Sequence, residues 1–406
     1  MDRRLLLSLM GAASVAACSP RKKSTSRLHV LVVGAGIVGA SIAYHLVKTG
    51  TQVTIIDKEG PASHASRGTF AWINATWAKQ PRHYHKLNQD SVSSWATFQK
   101  DLSIPIKWGG SLEWFEDEAR HEKLAVQIEE QISWGERARM VTPEEYAALE
   151  PNVDFGDMPS VALSENDGAI DPVLATQTLI DEAIKLGAKL ISSCELQNVS
   201  FEAGRLVSAQ TNQGVINCGH IVLATGAAPR AAQDFAGVDI PQRTTPGVIA
   251  ITKPFRPILN RIIVGPGAHI HQRLDGRIVL GEQDGAPKTE AHDMRLKNRP
   301  NNFPSREFGV QHGERILAIA DGFIPGIAEA EVEDVFIGWR PLPLDGLPVL
   351  GAAKDRPDIS LAIMHSGVSL APIIGQLVTH EIVTGERLEQ LKPYRPERDF
   401  TKANQY

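Results

Sequence analysis

The chain has 406 residues, 42% of them hydrophobic and 22% charged, with a formal net charge of −5. That length suits two or three globular domains with a sizeable core, and the acidic balance, with no Lys/Arg cluster interleaved with aromatics, argues against a nucleic-acid partner. Three cysteines are too few for a disulfide framework, and no His or Cys spacing suits a metal, so none is assigned.

Residues 1–27 differ from the rest. Arg3-Arg4 precede a mostly apolar and small stretch, Leu5 to Ala17, and then Cys18. The stretch falls short of the about 20 residues that a spanning helix needs, and its shape predicts a cleavable export signal. Val15-Ala16-Ala17-Cys18 resembles a lipobox, which makes Cys18 the expected lipid anchor. The paired arginines resemble a twin-arginine signal, although Asp2 stands where Ser or Thr is usual. The expected location is therefore the bacterial cell envelope, membrane-associated through the lipid, or the cytoplasm if the signal is not used. Arg21 to Arg27 reads as a polar tether.

His29 to Lys58 reads as one complete β-α-β unit. Val30 to Val33 is an apolar run suited to a strand buried on both faces. Gly34-Ala35-Gly36-Ile37-Val38-Gly39 follows, and each glycine has its own reason: Gly34 for the tight turn, Gly36 for approach of a pyrophosphate to the backbone, Gly39 for close packing of helix on strand. A helix is predicted from about Ile37 to Thr49, its free N–H groups at Ile37 and Val38 facing the phosphates, with Gly50 capping its end. A second strand, Gln52 to Ile56, ends in Asp57 with Lys58 beside it. Asp57 lies 18 residues past Gly39, where an acid suits a ribose hydroxyl. Strand, loop, helix, strand and acid together predict dinucleotide binding.

Farther along, Tyr84, Leu87, Ser91, Trp95 and Phe98 have helical spacing, while His83 and His85 read as a polar helix face. Trp108 to Phe115 reads as a strand pair and Arg120 to Gly135 as a helix. Asp171-Pro172 opens a helix over Val173 to Leu186. Lys189 to Cys194, Gln197 to Phe201, Arg205 to Gln210 and Gly214 to Val222 read as a meander returning to the central sheet at Ala224-Thr225-Gly226. Cys194 and Cys218 are expected to be buried small residues. Strands between Thr245 and Gly285 predict a second sheet, followed by a helix over Gly309 to Ala320.

At this point the chain resembles the D-amino-acid oxidase family, with its glycine oxidase and sarcosine oxidase members, from His29 to Glu386. Five elements carry the resemblance: the β-α-β unit; Ala65-Ser66-Arg67-Gly68; Asp167-Gly168-Ala169-Ile170-Asp171-Pro172; Ala224-Thr225-Gly226; and the pair Gly338-Trp339-Arg340-Pro341 and His365-Ser366-Gly367-Val368. The resemblance implies FAD and an α/β fold: a Rossmann-type FAD-binding domain (28–104, 160–236, 335–406) with a discontinuous α+β substrate domain (105–159, 237–334). Ser66 and Arg67 are then candidates for the pyrophosphate or flavin, Gly226 for the cofactor turn, and Val199 for the adenine. Gly367 and Val368 head a helix predicted over Ser369 to Val383, whose N–H groups would meet the pyrimidine edge of the flavin. No cysteine follows Cys218, so the FAD is expected to be non-covalent, at least through the linkage of the sarcosine oxidase branch.

By the same resemblance Arg340 grips a substrate carboxylate, a role that suits its planar fork of donors; the alternative is an internal pair with an acid such as Asp345. His269 and His271 lie on a strand that carries a tyrosine in relatives, and share one face; His271 is preferred as the pocket residue. Trp72, Asn74 and Trp77 could form an aromatic wall or simply pack in the core. The expected reaction is oxidation of a C–N bond in a small amino acid or secondary amine, with oxygen or a quinone taking up the electrons. One alternative is a 2-hydroxy-acid dehydrogenase, which needs a base such as His271, His269 or His365. Another is a non-catalytic flavin-binding lipoprotein.

Overall fold

The computed structural model describes residues 28–76, 79–228, 230–282 and 299–401. The export signal, Cys18 and Trp77 lie outside them. Within them are seven α-helices: α1 (Ile37–Lys48), α2 (Arg82–Leu102), α3 (Glu118–Ser133), α4 (Pro143–Leu149), α5 (Pro172–Lys185), α6 (Arg306–Asp321) and α7 (Gly367–Thr384).

Val30, Leu31 and Val32 are fully buried in the strand His29–Val33, as a strand covered on both faces requires. This strand pairs in parallel with Gln52–Ile56 on one side and His220–Leu223 on the other. Lys189–Ile191 and Ile359–Ile363 extend the sheet in parallel, and Val349–Ala352 closes it as an antiparallel edge. Helices α1, α2, α5 and α7 pack on one face around Ile42, Leu46, Trp95, Leu179 and Ile374. The other face is covered by an antiparallel meander, Leu196–Glu202, Arg205–Thr211 and Gly214–Asn217. The single strand expected over Gly214 to Val222 is therefore two. Cys218 N–H still bonds Val207 in the meander, and Gly219 N–H bonds His29, so the chain passes from one sheet to the other between them. Cys194 and Cys218 are buried free thiols.

The second sheet has eight strands in the order Val332–Pro343, Gln242–Pro254, Arg277–Glu282, Ala268–Gln272, Ile262–Gly265, Ser111–Glu113, Val161–Ser164 and Ala138–Val141. Helix α6 packs on it through Ile316, Leu317 and Ala320. A short sheet of Trp72–Ile73, Gly168–Ile170 and Ile106–Trp108 adjoins both.

Tyr84, Leu87, Ser91, Trp95 and Phe98 are all buried along α2, as their spacing predicts. Of the two histidines read as a polar helix face, His83 is exposed but His85 is not: it is 0% exposed and 3.3 Å from Glu136, beside Trp134. The turn after α3 carries Glu136 onto α2, a contact between segments far apart in sequence.

Candidate active site

The glycine loop is built as its spacing suggests. Gly34 has φ +110°, and a Cβ there would sit 2.3 Å from the Ala224 carbonyl oxygen; at Gly39 it would sit 2.0 Å from the Gly34 carbonyl. Gly36 faces the Ser66 hydroxyl, which accepts from the Ile37 N–H at 3.0 Å. The Asp57 carboxylate accepts from Ala35 N–H at 2.8 Å with one oxygen and from Glu59 and Gly60 N–H at 2.9 Å with the other. It therefore shapes the loop as well as ending the strand. Lys58 is exposed, and so is Arg67, whose guanidinium lies 4.0 Å from the centre of the Phe336 ring. Gly226 takes φ +55° with open space where a side chain would be, and the neighbouring Thr225 hydroxyl is buried without a partner among the described residues. Asp57 meets the meander side at Ile191 and Cys194; Val199 lies five residues beyond Cys194, its N–H on Asn198 Oδ1.

Helix α7 begins two residues earlier than its apolar run suggests, with Gly367 in its first turn and Ser366 at the N-cap position. Gly367 abuts Val38, a Cβ there falling 3.3 Å from Val38 Cγ2, so α1 and α7 start side by side. Pro372 inside the helix has no N–H to offer the Val368 carbonyl one turn back. Trp95 Nε1 takes that place, donating to the Val368 carbonyl at 2.9 Å and the Ser369 carbonyl at 3.2 Å. Helices α3, α4, α5 and α6 are capped by Asp117, Thr142, Asp171 and Ser305, whereas α1, α2 and α7 have no side-chain cap and no acid in the first turn, and of these three α1 and α7 start side by side. Amides left open at two adjacent helix starts suit acceptor groups of a ligand. These open amides are compatible with FAD, whose pyrophosphate oxygens and flavin pyrimidine edge would be the acceptors they meet.

The second sheet brings the other half of the site. Gly68 and Gly338 touch backbone to backbone: a Cβ on Gly338 would lie 1.9 Å from the Gly68 carbonyl oxygen. Arg340 follows two residues on in the same strand. The Arg340 guanidinium lies across Gly247 on the neighbouring strand, and the His269 ring lies across Gly281, its register partner. Both glycines leave the sheet surface low enough for these groups. Arg340 is half-buried, its pKa lowered by loss of water. It does not pair with Asp345, which binds Arg398 at 2.7 Å; among the described residues Arg340 has no acid partner.

His269, rather than His271, is the strand histidine with an open face. His271 is 1% exposed, and its Nε2 is 2.8 Å from the Phe70 carbonyl oxygen, behind the Phe70 ring. His269 is half-buried and also packs on Phe70, with ring centres 4.4 Å apart. Burial lowers both to about 3; the charge of Arg340 acts further on His269, that of Arg273 on His271. His365, at the head of α7, is also lowered to about 3 by burial, then by Arg340 and Lys79. Arg340, His269 and His365 thus form one cluster of a cation and two neutral imidazoles. Trp72 donates from Nε1 to Asp167 at 2.9 Å, and Asn74 is buried beside Ser369. Two residues given no role from sequence, Lys79 and Ser366, meet at the head of α7, where Lys79 Nζ donates to Ser366 Oγ at 2.6 Å.

Comparison with known proteins places the chain. The DAO family model, described as FAD dependent oxidoreductase, matches residues 29–381. Glycine oxidase of Bacillus licheniformis is 24% identical over 92% of this chain and 98% of its own. The 4-methylaminobutanoate oxidase (formaldehyde-forming) of Paenarthrobacter nicotinovorans is also 24% identical over 92% of this chain, which spans 46% of that longer protein. The crystal structure of L-proline dehydrogenase from P. horikoshii superposes with a TM-score of 0.79 at 24% identity, covering 92% of this chain and 97% of that one. The chain belongs to the DAO family of FAD-dependent oxidoreductases, and its cofactor is FAD.

Proposed function

We propose that this enzyme oxidises the C–N bond of a small amino acid or secondary amine whose carboxylate is held by Arg340. The observation that carries the reading is a half-buried guanidinium without an acid partner among the described residues, flanked by two neutral imidazoles. Such a group calls for an anionic partner, and its planar donors match a carboxylate. Relatives that act on glycine and on a methylamino acid support the same substrate class.

Bound FAD supplies the two-electron acceptor for the Cα–H. Arg340 would fix the carboxylate and so orient that C–H, while Phe70 and the second sheet keep water from it. The substrate nitrogen, once deprotonated, supplies its own lone pair, and the resulting imine is hydrolysed by water to an oxo acid and ammonia or an amine. Oxygen or a quinone would then take up the electrons.

The histidines favour a C–N over a C–OH substrate. Oxidising an alcohol requires a group that accepts the hydroxyl proton. With their pKa values lowered to about 3, His269, His271 and His365 are weak proton acceptors. A bound carboxylate would offset the charge of Arg340, but burial, the larger cause, would remain.

Esterifying the substrate carboxylate tests the reading. Turnover of an amino acid is expected to exceed that of its methyl ester by about ten- to a hundredfold in kcat/KM, the worth of one or two charge-assisted hydrogen bonds. Equal use of acid and ester would rule the assignment out.

A further inference from the structure

A buried lysine stands behind the head of α7. Lys79 is 7% exposed, and it and the Tyr84 hydroxyl both donate to Ser366 Oγ, at 2.6 and 3.0 Å. A hydroxyl oxygen has two lone pairs, and both are used here, so none is left for the amides of α7. Ser366, at the N-cap position, makes no capping bond. Asp167 acts on Lys79 at longer range; it is 1% exposed and accepts from Ser111 Oγ at 2.7 Å, Trp72 Nε1 at 2.9 Å and Thr76 Oγ1 at 3.3 Å, while burial raises its own pKa to about 7, so it offsets the lysine charge only in part.

We propose that Lys79 is a positioning residue for the flavin: it draws Ser366 away from the first amides of α7 and holds a positive charge behind them, raising the reduction potential of the bound FAD. Reduction places negative charge on the flavin's pyrimidine end, and open amides with a cation nearby favour that charge. A low local dielectric strengthens the effect. Burial lowers the lysine to about 8, with Asp167 acting against it, so the ammonium form predominates at pH 7. The inference rests on FAD seating its pyrimidine edge at α7; it is independent of the identity of the substrate.

The test is the FAD midpoint potential of the holoenzyme at pH 7, measured against a reference dye without substrate. Lys79→Met is expected to shift the reduced-to-oxidised ratio about tenfold toward oxidised flavin, which for a two-electron couple is about 30 mV. Lys79→Arg, which keeps the charge, is expected to stay within about threefold of the parent. Should Lys79→Met not retain FAD, Lys79→Gln, neutral but still able to donate to Ser366, is expected to lower the potential instead. A parent-like potential in a neutral variant that holds FAD, or an equal fall in Lys79→Arg, would overturn the proposal.

Discussion

Replacing Arg340 with alanine is expected to lower kcat/KM for a carboxylate-bearing amine by about ten- to a hundredfold or more, since charge-assisted hydrogen bonds contribute roughly 1.5–3 kcal/mol. The geometry makes the effect specific. The guanidinium lies over Gly247, and among the described residues it has no acid partner whose loss would disturb the fold. Its removal leaves a space over the glycine and takes from His269 and His365 the second cause of their lowered pKa. FAD content and thermal stability are expected to stay near the parent, because neither the Gly34 turn against Ala224 nor the Gly68–Gly338 backbone contact involves the arginine side chain. Arg340→Lys should recover only part of the loss, since an ammonium is a point charge and cannot offer two parallel donors. Steady-state kinetics with FAD occupancy measured in parallel would check this; unchanged turnover in Arg340→Ala would remove Arg340 from the site.

Gly34→Ala is expected to abolish stable FAD binding. Two costs coincide at this residue: a φ of +110°, which L side chains rarely adopt, and a Cβ 2.3 Å from the Ala224 carbonyl oxygen. Backbone strain alone costs on the order of 1–3 kcal/mol. The clash cannot be relieved by a rotamer change because its partner is backbone. Moving the loop would also break the Ala35 N–H bond to Asp57 and the Gly34 N–H bond to Ile56, at 2.8 Å each. Gly135→Ala is the control. That glycine also has positive φ, +89°, but open space around it and no part in the cofactor loop, so it should cost some stability and no FAD. FAD retained on gel filtration by Gly34→Ala at the level of Gly135→Ala would contradict the role given to the first glycine.

What could be read from the sequence follows the range of the interactions concerned. The β-α-β unit is legible because each of its requirements is local: the turn at Gly34, the helix start at Ile37 and the acid at Asp57 lie within one short segment. The same holds for α5, where Asp171 caps the helix by accepting from Val173 and Leu174 N–H. Depth in the second sheet was not legible. Strand alternation puts His269 and His271 on one face, but Phe70, 201 residues away from His271, decides which of them keeps an open side. In the first turn of α7 an indole from α2 takes the place of the N–H that Pro372 lacks, and the pairing of Lys79 with Ser366 spans 287 residues. The burial of His85 within a polar helix face is not legible because Glu136 is brought to it only by the packing of α3.

The most direct measurement is anaerobic reduction of the bound flavin, followed at its visible absorption band. Each of a set of small amino acids, N-methylated amino acids and their 2-hydroxy-acid analogues would be added to the holoenzyme in turn. Bleaching by one or more of the amines, with none by the matching hydroxy acids, is the expected result. Bleaching by hydroxy acids alone would contradict a C–N substrate and would require a proton acceptor that the neutral histidines around Arg340 do not provide.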